Sequence, residues 1–446
     1  MKKNYLLGMA LITSLSFYSC DKEVVYVQDG NGVESVADGA QIITLQVENG
    51  GDGLATRAGR PLFSAEAKQT IENVKLWICD NTGKVVYIKE ISDWNTDGST
   101  VYTTGGHGRQ TTIELKGADK LAAGTYKIYA VGYSNSSAYT LTDVTNVAKE
   151  SIFNENMVLP CSTVGEEIFA GQMELTVEKG KGFKKPVVLN RQVAGAFAYV
   201  KDIPFMEGAK YLKLVASAQN QSLVLGNFNS FDLTGNGSGN ANVKYVVNGT
   251  NGKSGSETYV ISTIDLNKWF TAIKDEDGDN LIDAGENWKN PCRPSSSPAA
   301  GTYPTFQKGS AFGGEFVIPF AHVDGKQTLT LQLTNAAGTT VLRSWKVNLG
   351  SADEQLKQTI TCWNSGSTNW STSLSGESSS TYSLVRNHLY GIGTRMNDEA
   401  DPEQPGVDPD PNPENPNDKP ESLNNKQELV LKVNDNWEVI HGMELD

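Results

Sequence analysis

The sequence predicts an all-β protein: two tandem β-sandwiches followed by a separate strand at the carboxyl end. Three observations carry this. Apolar and polar residues alternate in short runs, Gly, Asn and Asp cluster between those runs, and helical periodicity is nearly absent. At 446 residues with 44 Gly, the chain has room for two or three domains rich in turns.

Residues 1–20 read as a secretory signal: Lys2 and Lys3, an apolar run from Tyr5 to Phe17, then Tyr18-Ser19-Cys20. The apolar run is too short to span a bilayer, and the signal pattern as a whole leads to the expectation that the protein leaves the cytoplasm. Cys20 stands where a bacterial lipobox places its lipidated cysteine. Residues 21–57 form a propeptide. A polar spacer runs to Ala40, and a strand follows over Ile43–Val47. The flexible tip Gly50-Gly51-Asp52-Gly53 comes next, the kind of place proteases cut. Thr56-Arg57-Ala58-Gly59-Arg60-Pro61 then offers a trypsin-like site after Arg57, making Ala58 the new terminus; Pro61 hinders a cut after Arg60.

The first sandwich occupies residues 58–185. Val74 to Cys79, the turn Asp80-Asn81-Thr82-Gly83 and Val85 to Ile91 give a hairpin. Thr111 to Leu115, Thr125 to Tyr133 and Ile168 to Val177 continue the set. The second sandwich, residues 186–396, opens at Val187-Val188-Leu189, with the boundary near Lys185. Its strands are Tyr211 to Ser217, Val243 to Val247, Glu257 to Ile261, Phe316 to Phe320, Gln327 to Leu333, Thr340 to Val347 and Val385 to Ile392. Alternation in such strands buries one face of each sheet against the other.

Residues 397–426 are so rich in Pro, Asp, Asn and Glu that they are expected to act as an extended tether. The last segment, residues 427–446, carries a strand with Leu429, Leu431 and Val433 on one face and Val430, Lys432 and Asn434 on the other. It is expected to have no partner within reach. Its twin lies near the amino end, where Ile43, Leu45 and Val47 match Leu429, Leu431 and Val433. Two interchangeable strands compete for one groove.

A net charge of −14 argues against nucleic-acid binding, which needs clustered Lys and Arg. With Cys20 set aside, Cys79, Cys161, Cys292 and Cys362 remain. Disulfides Cys79–Cys161 and Cys292–Cys362 would stay within one domain each, buried free thiols are the alternative, and spacing does not choose between them. His107, His322, His388 and His441 show no metal spacing, and Gly105-Gly106-His107-Gly108 lacks the strand-to-helix context of a phosphate loop. No nucleophile elbow or triad pattern points to an enzyme.

The acidic run from Asp275 to Glu286 has the twelve-residue calcium-loop spacing of an EF-hand. Carboxylates fall at Asp275, Asp277, Asp279, Asp283 and Glu286, with the Leu281 carbonyl at position 7. Hard Ca²⁺ suits such oxygens. Asn280 replaces the usual Gly at position 6, where a positive φ is needed, and Asn tolerates one. Leu266 to Ile273 is a short helix candidate leading in, while Asn290-Pro291 opposes a full helix leading out.

Taken together, the lipobox at Cys20, Thr-Arg-Ala-Gly around Arg57, Leu189-Asn190-Arg191-Gln192-Val193-Ala194, Arg386-Asn387-His388-Leu389-Tyr390, the Pro/Asp tether and the terminal Val-Asn-Asp-Asn-Trp-Glu-Val resemble the fimbrillin superfamily of Bacteroidia. These are type V pilins, and the minor-fimbria (Mfa-type) subunits are the nearest kind. The resemblance implies two transthyretin-like β-sandwiches and a tethered carboxy-terminal donor strand bearing Leu429, Leu431, Val433 and Trp437. It implies an outer-membrane lipoprotein precursor, an arginine-specific protease that removes the first strand, and assembly by donor-strand exchange. Partners are neighbouring copies and other fimbrial subunits, with a host or bacterial surface ligand as adhesion target, and the retained donor strand favours shaft over tip. The rival reading is a monomeric surface glycan-binding lipoprotein using Trp363, Trp370 and Tyr382 to stack on sugars.

Overall fold

The computed structural model describes residues 26–28, 34–36, 39–48, 71–102, 108–161, 166–226, 246–250, 252–285, 287–291, 306–320, 329–349, 359–375, 384–393, 420–424 and 428–436. The amino-terminal unit contains β1 (Tyr26–Gln28), β2 (Glu34–Val36), β3 (Gln41–Glu48), β4 (Asn73–Cys79), β5 (Val85–Ile91), β6 (Thr100–Tyr102), β7 (Gly108–Leu115), β8 (Gly124–Tyr133), β9 (Val158–Pro160), β10 (Phe169–Val177) and β11 (Phe183–Arg191). Its main sheet runs β5-β4-β8-β10-β11-β3-β7-β6. Strand β11 turns the corner of the sandwich. Its end, Asn190–Arg191, pairs with β10, while Phe183 to Leu189 pair with β3. The two halves enclose one buried cluster, with Leu76, Ile78 and Ile128 facing Leu45, Ile113 and Val187. The β4–β5 turn forms as its residues require: Gly83 takes φ +82° and donates to the Asp80 carbonyl at 3.0 Å.

The carboxy-terminal unit follows with β12 (Ala194–Lys201), β13 (Ile203–Pro204), β14 (Ala209–Gln219), β15 (Ser222–Val224), β16 (Val246–Val247), β17 (Gly249–Thr250), β18 (Lys253–Asp265), β19 (Leu281–Ile282) and β20 (Ala311–Val317). Then come β21 (Leu329–Asn335), β22 (Val341–Leu349), β23 (Thr359–Asn364), β24 (Asn369–Ser375), β25 (His388–Ile392), β26 (Glu421–Ser422) and β27 (Glu428–Asn436). Its large sheet is ordered β18-β14-β21-β22-β27-β25-β12-β20, with β26 paired to β12.

One expectation changes here. The run Val187-Val188-Leu189 does not open the second unit; it lies in β11, hydrogen-bonded to β3, so the passage between units falls at Gln192–Val193 rather than near Lys185. An alternating run looks the same as the last strand of one sandwich or the first of the next, and only its partners distinguish them. The units also share a core. Strand β4 is buried along its whole length. Leu76 and Ile78 enter the first sandwich, whereas Trp77 and Cys79 join Phe197, Tyr199 and Trp345 of the second unit in a single cluster. Strand β9 pairs with β15 across the same contact, Leu159 opposite Leu223.

Candidate strand-exchange grooves and acidic loop

Strand β3 fills a slot in the first sandwich. On one side it runs antiparallel to β7, with Ile43 opposite Ile113 and Leu45 opposite Thr111. On the other it runs parallel to β11, with Leu45 opposite Val187 and Val47 opposite Leu189. Ile43, Leu45 and Val47 are fully buried. At about 1.5–3 kcal/mol per side chain, their burial contributes on the order of 5–9 kcal/mol before ordering costs. Removing β3 would open an apolar groove between two unpaired edges, with Ile113, Leu115, Val187 and Leu189 in its walls.

The terminal strand overturns one expectation. It does have a partner within reach: β27 lies in its own chain, parallel to β22 and antiparallel to β25. Leu429 pairs with Val347, Leu431 with both Leu349 and Ile392, and Val433 with Tyr390; Leu429 is fully buried. The physical reason is the sheet order, because β22 and β25 are separated by one strand width that β27 spans. A polar tether does not prevent this, since linking a strand to its own domain raises its effective concentration there. Gly391 shapes the slot: a Cβ on it would collide with the far edge of the Phe197 ring, so the ring reaches β25 only because no side chain intervenes.

Thus β3 and β27 are framed alike, each with one parallel and one antiparallel neighbour, and Leu429 of β27 is buried in its core as Ile43, Leu45 and Val47 of β3 are in theirs. The segment before β27 is also less free than its composition suggests. Pro420 is buried, β26 pairs with β12, and Leu423 is fully buried. These residues were expected to belong to the tether of residues 397–426. The signal was present in Pro420-Glu421-Ser422-Leu423, an apolar residue beside Pro and Ser, but the surrounding polar composition masked it. Cys20, Arg57, Ala58, Trp437 and Tyr382 lie outside the described residues, as does Glu286.

In the acidic loop three of the expected carboxylates come together. Carboxylate oxygens of Asp275, Asp277 and Asp279 lie within 4.8 Å of one another. Asn280 adopts φ +66°. Asp275 accepts from the N–H groups of Gly278 at 2.7 Å and Asn280 at 3.1 Å, and Asp279 accepts from Leu281 at 2.8 Å. Desolvation and the carboxylates of Asp277, Asp283 and Asp275 hold the Asp279 pKa above its ordinary value against that hydrogen bond. The loop is flanked by strand-like pairing instead of long helices. The helix before it is the single turn α2 (Leu266–Trp269), counted after α1 (Thr142–Thr145) and capped by the Asp265 side chain. Phe270 bridges to Trp288, and the Lys289 N–H donates to the Trp269 carbonyl at 2.7 Å. Strand β19 within the loop pairs with β13, anchoring Ile282 in the core.

The two resemblance motifs on either side of the second unit meet at the joint between units. The Arg386 guanidinium is fully buried and donates to Gln192 Oε1 at 2.9 Å and the Gly226 carbonyl at 3.0 Å. The Asn387 N–H donates to the Val193 carbonyl at 2.8 Å. Beside them Arg191 and Glu167 form a buried ion pair at 2.6 Å. Burial lowers the Arg386 pKa to about 9, so it remains a cation at neutral pH. Cys79 and Cys161 form no disulfide, and the Cys362 thiol is half-buried; Cys292 lies outside the described residues. Trp363 and Trp370 meet edge-on at 5.3 Å on β23 and β24. The Trp370 indole N–H is held by Asn156 Oδ1 of the first unit at 2.9 Å. Both rings are half-buried.

The described residues therefore define an all-β protein whose first and last long strands are each inserted between strands distant in sequence. No protein-family model and no curated protein matches the chain. Among solved structures, a fimbrial assembly protein from Parabacteroides distasonis is 13% identical, covering 79% of this chain and 89% of its own, with a TM-score of 0.34. The fimbrial anchor protein Mfa2 from Porphyromonas gingivalis is 9% identical over 78% of this chain and 99% of its own, with a TM-score of 0.31. The tip fimbrial protein Mfa3 from the same organism, truncated at its carboxyl end, is 11% identical over 79% and 94%, with a TM-score of 0.36.

Proposed function

We propose that the chain is a structural subunit of a cell-surface fimbria that polymerises by strand exchange. It is exported as a lipoprotein through Cys20 and cut after Arg57 by an arginine-specific protease. Strand β27 of one copy then takes the place of β3 in the next. The observation that carries this reading is the matched framing of β3 and β27, because a strand that already satisfies one parallel and one antiparallel neighbour has the geometry the emptied slot requires. Main-chain hydrogen bonds supply affinity in such strand addition, and the alternate side chains Leu429, Leu431 and Val433 set the register. Cleavage alone does not empty the slot, since the burial of Ile43, Leu45 and Val47 still holds β3 in place. Exchange therefore replaces one triplet by another in the receiving slot, and it also withdraws Leu429 from the slot that β27 occupies in its own chain.

The test uses the full chain, cut after Arg57, with polymer length read on a size ladder. Leu431→Asp would put an unpaired charge into an apolar groove, which is very costly, and polymers should be lost while the folded monomer persists. Lys432→Asp on the opposite face should leave polymers near wild-type length. Leu431→Asp polymers as long as wild type would refute strand exchange. The acidic loop adds a Ca²⁺ site in this reading, held by Asp275, Asp277, Asp279, Asp283 and Glu286 with the Leu281 carbonyl.

A further inference from the structure

The segment that joins the tether to β27 is docked at a point of its own. Strand β26 runs parallel to the end of β12, Val200 opposite Glu421 and Lys201 opposite Ser422. The Leu423 N–H donates to the Lys201 carbonyl at 3.0 Å, and Arg343 donates to the Asn424 carbonyl at 3.4 Å. The Leu423 side chain is fully buried in the same cluster as Tyr390, Ile392 and Leu429.

This anchor decides how far β27 can travel. Only residues 425–427 separate Asn424 from β27, and three extended residues span about 10 Å. A strand the length of β3 is itself about 26 Å long. With Leu423 seated, β27 moves only within the reach of those three residues. Once Leu423 is released, residues 394–419 add their length, about 80 Å at about 3.1 Å per residue in extended form.

Resting on the exchange reading above, we propose that Pro420–Asn424 is a latch with Leu423 as its bolt. While Leu423 is buried, β27 stays with its own unit, and a second copy of this chain receives β27 only after Leu423 leaves the core. Strand supply is thus controlled at β12 of the donor and not within the β3 slot of the acceptor.

Two measurements test it. In the uncut monomer, Leu423→Ala should speed amide hydrogen exchange along β27 by roughly tenfold or more, leaving β3 at its wild-type rate. Unchanged exchange along β27 would overturn the latch. In the second measurement, Lys201→Cys with Ser422→Cys places two thiols on paired residues of adjacent strands, a spacing that suits a disulfide. After cleavage at Arg57 the oxidised variant should remain monomeric, and reduction should restore polymers. Oxidised protein that polymerises as readily as wild type would discard the latch while leaving strand exchange standing. Wild-type chains that fail to polymerise after the cut would remove strand exchange, and the hydrogen-exchange comparison alone would then decide whether Leu423 holds β27.

Discussion

Cys79 points into the contact between the two units, and burial pushes its thiol from an ordinary 9.0 up to about 12, with the Asp80 and Glu155 carboxylates adding to the rise. An acid whose folded pKa is raised stays protonated in the fold while the unfolded chain ionises. Stability is therefore intact below about pH 9 and drains away between about 9 and 12. Burial raises Cys362 in the same sense. The melting temperature should fall as pH climbs from about 8 to about 10.5, and Cys79→Val should flatten that slope; parallel slopes in the two proteins would contradict it. Arg386 gives a second expectation. Arg386→Ala removes a buried side chain and leaves Gln192 Oε1 and the Gly226 carbonyl without its donors, which should destabilise the fold by about 2–4 kcal/mol in chemical denaturation. Both arginine motifs were visible in the sequence. Their meeting was not, because it joins residues 194 positions apart and no local pattern encodes such a contact.

Among elements, the period of two located most strands, and the β4–β5 turn followed from residue types alone. What period two could not supply was partnership. Val187 and Leu189 alternate equally well as the end of one sandwich or the start of another, and the terminal strand reads as unpaired because β22 and β25 are assembled from separate parts of the chain. Leu423 was hidden by averaging over a polar window. The loop yields a prediction at this scale. A cation that binds only the folded form raises stability with its concentration, so added Ca²⁺ should raise the melting temperature. Asp275→Ala combined with Glu286→Ala should abolish the response, and an equal rise in both proteins would assign it elsewhere.

The molecule as a whole is bound by one cluster that runs from Trp77 and Tyr129 through Phe197 to Trp345 and Leu429. Two sandwiches with private cores would melt as two bodies. A shared core, the β9–β15 pairing and the Arg386 joint couple them, so calorimetry of the uncut chain should give one cooperative transition. Two well-separated transitions would show that the units fold independently.

The framing of β3 and β27 also bears on time. A strand with a parallel neighbour cannot be made by a hairpin, and its partner must come from far along the chain. Gln41 waits for Phe183 and Leu429 for Val347, pairings of high contact order that form late and slowly. The first sandwich cannot close until β11 has been synthesised, nor the second until β27 has followed β22. A nascent chain that cannot finish folding remains threadable for as long as those partners are missing.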